Sequence, residues 1–155
     1  MRTVTRSVFL SALASALVCG VAAAGETVTY KGAGTFVATR VALPLASGGA
    51  AIHLSNDVVA TIEPSPIGFM RGDCAGLGYL SANGEYSVEA YCTFAESAAD
   101  AFDIKAMVKP EAGGVVEVIG GIGKWAGATG SGTLKPKFAE GRRGTYNYEF
   151  EITTP

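Results

Sequence analysis

Histidine and tryptophan each occur once in 155 residues, and cysteine only three times. These shortages close off several kinds of chemistry. His53 has no recognisable nucleophile or orienting acid, and its neighbours Ala51, Ile52 and Leu54 mark an ordinary strand residue rather than a general base. A Ser-His-Asp hydrolase would be expected to show a nucleophile elbow, and none is present. Basic residues are not in excess. Twelve Lys and Arg stand against 14 Asp and Glu, for a net charge of −2. That balance argues against nucleic acid or an anionic membrane as partner. Helical periodicity is also missing from Glu26 onward.

The N-terminus reads differently. Arg2 and Arg6 form a basic start, an apolar run from Val8 to Val21 follows, and Ala22-Ala23-Ala24 offers a small-residue cleavage site. That is the layout of a secretory signal peptide over residues 1–24. The run is short of the roughly 20 apolar residues a spanning helix needs, and no later stretch qualifies. Cys19 falls within this segment, and bulky Val18 before it disfavours lipid attachment. The expected mature chain, residues 25–155, suffices for one domain and is slightly more acidic than the precursor. The expected location is periplasmic or secreted.

The mature part alternates as strands do. The first strand is read over Thr27–Thr39, interrupted by Gly32 and Gly34, with a loop over residues 44–51. Asn56–Glu63 follows, with Val58, Ala60 and Ile62 on one face, and Pro64-Ser65-Pro66 ends it. Ile67–Met70 is short and apolar. Residues 95–101 form a connection. Phe102–Lys109 alternates, 110–114 turns, and Val115–Ile119 leads into a glycine-rich stretch that Ala126–Leu134 leaves. Lys135–Gly141 reads as a polar turn. In the last strand Tyr146, Tyr148, Phe150 and Ile152 face one way, with Glu149 and Glu151 on the other side toward solvent. The pattern predicts an all-β fold, a closed antiparallel barrel of about eight strands, because closure removes exposed sheet edges. A β-sandwich is the runner-up. An outer-membrane barrel fits poorly, since several strands are too short or too polar for its spans.

Cys74–Phe94 is the most informative hairpin. Its turn contains Asn83-Gly84. A two-residue loop would pair Ala75 with Cys92 and point Cys74 to the wrong face. A three-residue Ala82-Asn83-Gly84 loop places Cys74 opposite Cys92 as a non-hydrogen-bonded pair, within disulfide reach. The reading is therefore a cross-strand disulfide, which also suits an even cysteine count in an exported chain. A metal pair is weaker, because the long spacing lacks the Cys-x-x-Cys form.

Clustered glycines at Gly120, Gly121, Gly123 and Gly127 invite other readings, and each fails. Gly121-x-Gly123-x-x-Ala126, with Glu140 further on, matches a dinucleotide fingerprint but lacks the helix that motif opens. Gly123-Lys124-Trp125 puts tryptophan where a phosphate loop needs a hydroxyl. No cofactor is expected. The cluster reads as a tight corner between two strands. Arg71-Gly72-Asp73 is read as a turn with a local ion pair rather than an adhesion signal.

The corner Gly120-Gly121-Ile122-Gly123-Lys124-Trp125-Ala126-Gly127-Ala128-Thr129-Gly130-Ser131-Gly132 resembles a motif of small exported bacterial proteins with an allene oxide cyclase and dirigent type of barrel. Cys74-Ala75-Gly76, Gly84, Tyr91-Cys92-Thr93-Phe94, and Gly32 and Gly34 before Phe36 extend the similarity. Two departures stand out: Ile122 replaces the usual threonine, and Ala98-Ala99-Asp100-Ala101 replaces an acidic loop. The resemblance implies a lipocalin-like barrel and allows a homo-oligomer, since related barrels often form trimers. The plant relatives cyclise an oxidised fatty-acid epoxide or steer phenol coupling, but none of their catalytic residues maps onto this chain, so only the barrel carries over.

The expected function is a non-enzymatic exported module that binds a small hydrophobic molecule. A cyclase or isomerase on a hydrophobic oxidised substrate and a surface interaction protein are the alternatives. Trp125, Tyr86, Tyr146, Tyr148 and Phe150 would line a pocket if the barrel is hollow, and an interior filled by side chains is the default.

Overall fold

A computed structural model describes residues 25–65, 68–109 and 112–155. The expected signal segment lies outside the described residues, as do Pro66-Ile67 and Pro110-Glu111. The strands are β1 (Glu26–Pro44), β2 (Ala50–Thr61), β3 (Phe69–Leu80), β4 (Tyr86–Ala95), β5 (Ala101–Lys109), β6 (Gly113–Ile122), β7 (Thr129–Glu140) and β8 (Arg143–Thr154). They pair antiparallel in chain order, and β8 returns to β1 to close the barrel. The all-β closed barrel expected from alternation is therefore the fold.

Several boundaries differ from the sequence reading. β1 continues to Pro44, and β2 starts at Ala50, because Val41 pairs with His53 and Leu43 with Ala51. Lys135–Glu140 is strand rather than turn, paired with β8 through Glu140↔Arg143. These residues sit at one rim of the barrel, where both faces meet solvent. Alternation, which needs one buried face, gives no signal there. Arg71-Gly72-Asp73 is also not a turn. It lies within β3, with Gly72 buried, although Arg71 and Asp73 do form the expected ion pair at 3.3 Å.

The hairpin register is as expected. Ser81 and Glu85 close a three-residue loop, with the Ser81 amide donating to the Glu85 carbonyl at 2.8 Å and Gly84 left-handed at φ 90°. Cys74 then faces Cys92 and the two form a disulfide. Both sulfurs point inward. Alkylation of the oxidised protein should find neither Cys74 nor Cys92 reactive. Reduction should lower the unfolding free energy by about 3 kcal/mol in a denaturant titration.

Glycine sets the interior width in a way that backbone bends do not explain. Tyr146 lies over Gly34, Phe94 over Gly72, Phe150 over Gly132 and Phe36 over Gly144, each pair directly cross-strand. A Cβ at Gly72 would come within 2.5 Å of the Phe94 ring. The aromatic rings lie flat along the wall instead of projecting to the axis. With Ala90, Ala106 and the disulfide also facing in, one half of the barrel is not filled. Side chains filling the whole interior, the default for a small barrel, is thus corrected: around the cavity Cys74, Ala90, Cys92 and Ala106 of β3–β5 are too small to fill it.

Candidate functional site

The two ends of the barrel are built differently. At one end Trp125 is the plug. It sits in a short 3-10 turn, Gly123–Trp125, which joins β6 to β7. Gly123 takes φ 63°, a left-handed conformation that glycine accepts freely. The turn folds the indole inward, to 1% exposure, against Phe102 (centroids 5.0 Å) and edge-on to Tyr30 (5.4 Å). Ile62 and Ala128 complete the seal. The Lys124 ammonium lies over the indole at 4.9 Å and bonds Glu96 Oε2 at 2.8 Å. The Lys124 amide donates to Asp100 Oδ1 at 2.9 Å, which ties the corner to the loop after β4. The glycine cluster thus joins two strands and holds the plug, as a closure device would.

Toward the other end the interior opens into a cavity of about 450 Å³. That lies within the ordinary range for small-molecule sites, about 300–1,000 Å³. Its walls are chiefly apolar. Phe36 comes from β1, Leu54 and Val58 from β2, Met70 and Cys74 from β3, and Val88, Ala90, Cys92 and Phe94 from β4. Ile104, Ala106 and Val108 of β5, Leu134 of β7 and three β8 rings complete it. The mouth is formed by Arg40, Tyr86 and the segment Pro136–Ala139. Pro136 has no amide to donate, and the β7–β8 register slips by one residue there. The bulge brings Lys137 to the mouth.

Polar groups are few. Asn56 Oδ1 and the Tyr86 hydroxyl are buried and accept or donate no hydrogen bond within the protein. At the plugged end the same holds for Glu96 Oε1 and Trp125 Nε1. The Tyr148 hydroxyl donates to the Thr61 carbonyl. Burial pushes the Tyr146 and Tyr148 phenols far above the ordinary tyrosine value; Tyr148 adds to the effect on Tyr146, and Glu63 and Glu96 to that on Tyr148. Tyr86 is also raised by burial, which the nearby Arg40 charge partly offsets. All three therefore remain neutral hydroxyls at physiological pH.

Of the five residues read from sequence as a pocket, Tyr86, Tyr146, Tyr148 and Phe150 line this cavity, and Trp125 belongs to the plug. Arg40, Asn56 and Lys137 were missed. Asn56 left a trace: it is the polar member of an inward row with Val58, Ala60 and Ile62. His53 faces outward and is exposed.

The architecture is thus an eight-stranded barrel plugged at one end, with a ligand-sized apolar cavity toward the other. Among solved structures, it is similar to the pterocarpan synthase dirigent protein GePTS1, with TM-score 0.59 and 12% identity over 96% of this chain and 99% of that one. It is also similar to the pterocarpan synthase dirigent protein PsPTS1, with TM-score 0.57 and 13% identity over 84% of this chain and 97% of that one. At such identities the likeness is one of fold: the barrel is dirigent-like. No family model and no curated protein matches the sequence.

Proposed function

We propose that this chain is an exported, disulfide-pinned barrel that carries a small hydrophobic molecule in its interior without transforming it. The observation that carries the reading is the apolar cavity of about 450 Å³. Against catalysis stands the lining: among the described residues it holds no carboxylate and no imidazole. A periplasmic or secreted location is part of this proposal; the signal-like N-terminus and the disulfide support it. The kinship with small bacterial allene oxide cyclase-like proteins is part of the same proposal. A second reading, action on the bound molecule, is favoured by the fold likeness to two proteins named as pterocarpan synthases.

The uncharged dye N-phenyl-1-naphthylamine tests the first reading. It should bind saturably, with one site per barrel. Ala90→Trp fills the cavity from β4 and should weaken binding by at least about tenfold while the circular dichroism of the barrel persists. Equal binding by this folded variant would place the dye elsewhere and remove the support for an interior site.

A further inference from the structure

The cavity mouth carries charge of one sign. Arg40 on β1 and Lys137 at the β7 bulge both line it, and no Asp or Glu does. Among the described residues neither cation takes part in an ion pair: the three such pairs are Arg71–Asp73, Lys105–Glu89 and Lys124–Glu96. Arg142 adds a third positive charge beside them, held by bonds from its guanidinium to the Ala38 carbonyl at 2.8 Å and the Thr39 hydroxyl at 2.7 Å. Glu85 and Glu140 stand at the same end but do not line the cavity. This concentration of unpaired cations occurs in a chain whose net charge is −2.

The walls below the mouth are ring-bearing on opposite sides. Tyr146, Tyr148 and Phe150 come from β8, and Tyr86 and Phe94 from β4. In a closed barrel of eight strands, β4 lies across from β8. A flat aromatic body between them meets ring faces and edges on both sides, an arrangement that adds to simple area burial. Asn56 and Tyr86 line the same cavity, and the Asn56 Oδ1 and the Tyr86 hydroxyl have no protein partner.

Resting on the reading of the cavity as a carrier site, we infer that its ligand is a small aromatic carboxylic acid, bound with the ring system inside and the carboxylate at the mouth between Arg40 and Lys137. A guanidinium recognises a carboxylate through a fixed pair of donors.

Competition with the bound dye tests this with four probes: 2-naphthoate, its methyl ester, 2-naphthylamine and dodecanoate. The acid should bind at least about tenfold tighter than the ester, the scale of one charge-assisted hydrogen bond. Arg40→Gln and Lys137→Gln, each at an exposed position, should both lower the acid-to-ester ratio. The ratio should also fall with added salt. An ester or amine that binds as well as the acid, or a ratio unchanged in both variants, overturns the charge assignment. Dodecanoate binding tighter than 2-naphthoate overturns the aromatic assignment. If the dye itself finds no interior site, the carrier reading falls together with this one, so the two failures are distinct.

Discussion

A chain with valine at both Gly121 and Gly123 will not accumulate as a folded barrel. Gly123 is left-handed at φ 63°, a region that costs a β-branched residue about 1–3 kcal/mol. Space is the larger obstacle. A Cβ at Gly123 would fall on the Ala99 carbonyl and the Asp100 carboxylate, and at Gly121 it would come within 2.5 Å of the Ala101 carbonyl and 2.7 Å of Trp125 Cβ. Relief would require moving the loop that the Lys124–Asp100 and Lys124–Glu96 bonds hold in place. The combined cost should exceed about 4 kcal/mol, a large share of the stability of an ordinary domain. Soluble yield, circular dichroism and a urea titration measure it. Gly84→Asn, also at positive φ but with open space around it, should cost about 1 kcal/mol or less. A stable double variant would show that the corner is not a closure device.

Trp125→Ala is expected to lose about 3–5 kcal/mol, the cost of emptying a large aromatic from a packed core. The indole is 1% exposed and touches rings on two sides. Ile122→Ala, three residues back in sequence at the end of β6, should stay within about 0.5 kcal/mol because Ile122 is 55% exposed. Trp125 does not line the cavity, so whatever fraction of Trp125→Ala folds should bind the dye with unchanged affinity. A mildly destabilised variant, or one that folds and cannot bind, would contradict the division of the barrel into plug and cavity.

The barrel was legible where one strand face is buried along its length. Tyr146, Tyr148, Phe150 and Ile152 announced β8, and Phe102, Ile104 and Ala106 announced β5, because period-two burial is what alternation records. The cysteine register was legible too, since Asn83-Gly84 limits the loop to a few geometries and only one of them aligns Cys74 with Cys92. The rim was not. Arg40 and Lys137 stand where the strands leave the core, so nothing in their neighbours separates them from solvated surface. Lys137 further depends on the bulge after Pro136, which shifts register by one residue and reverses the face that counting predicts. The hollow itself arises from glycines pairing with aromatics across strands. Gly72 and Phe94 are 22 positions apart, a relation that appears only once the register is known.

The seam between β1 and β8 has a bearing on how the molecule comes into being. Glu26 pairs with Thr154 and Val37 with Arg143, so β1 waits for β8, more than a hundred residues later in the chain, before its outer edge is satisfied. Until then the growing sheet has two free edges and an exposed apolar face. Closure between partners so distant in sequence is slow compared with local pairing. A chain in which β8 has yet to form is therefore an open sheet prone to pair with its neighbours, and the barrel closes only once β1 and β8 have met.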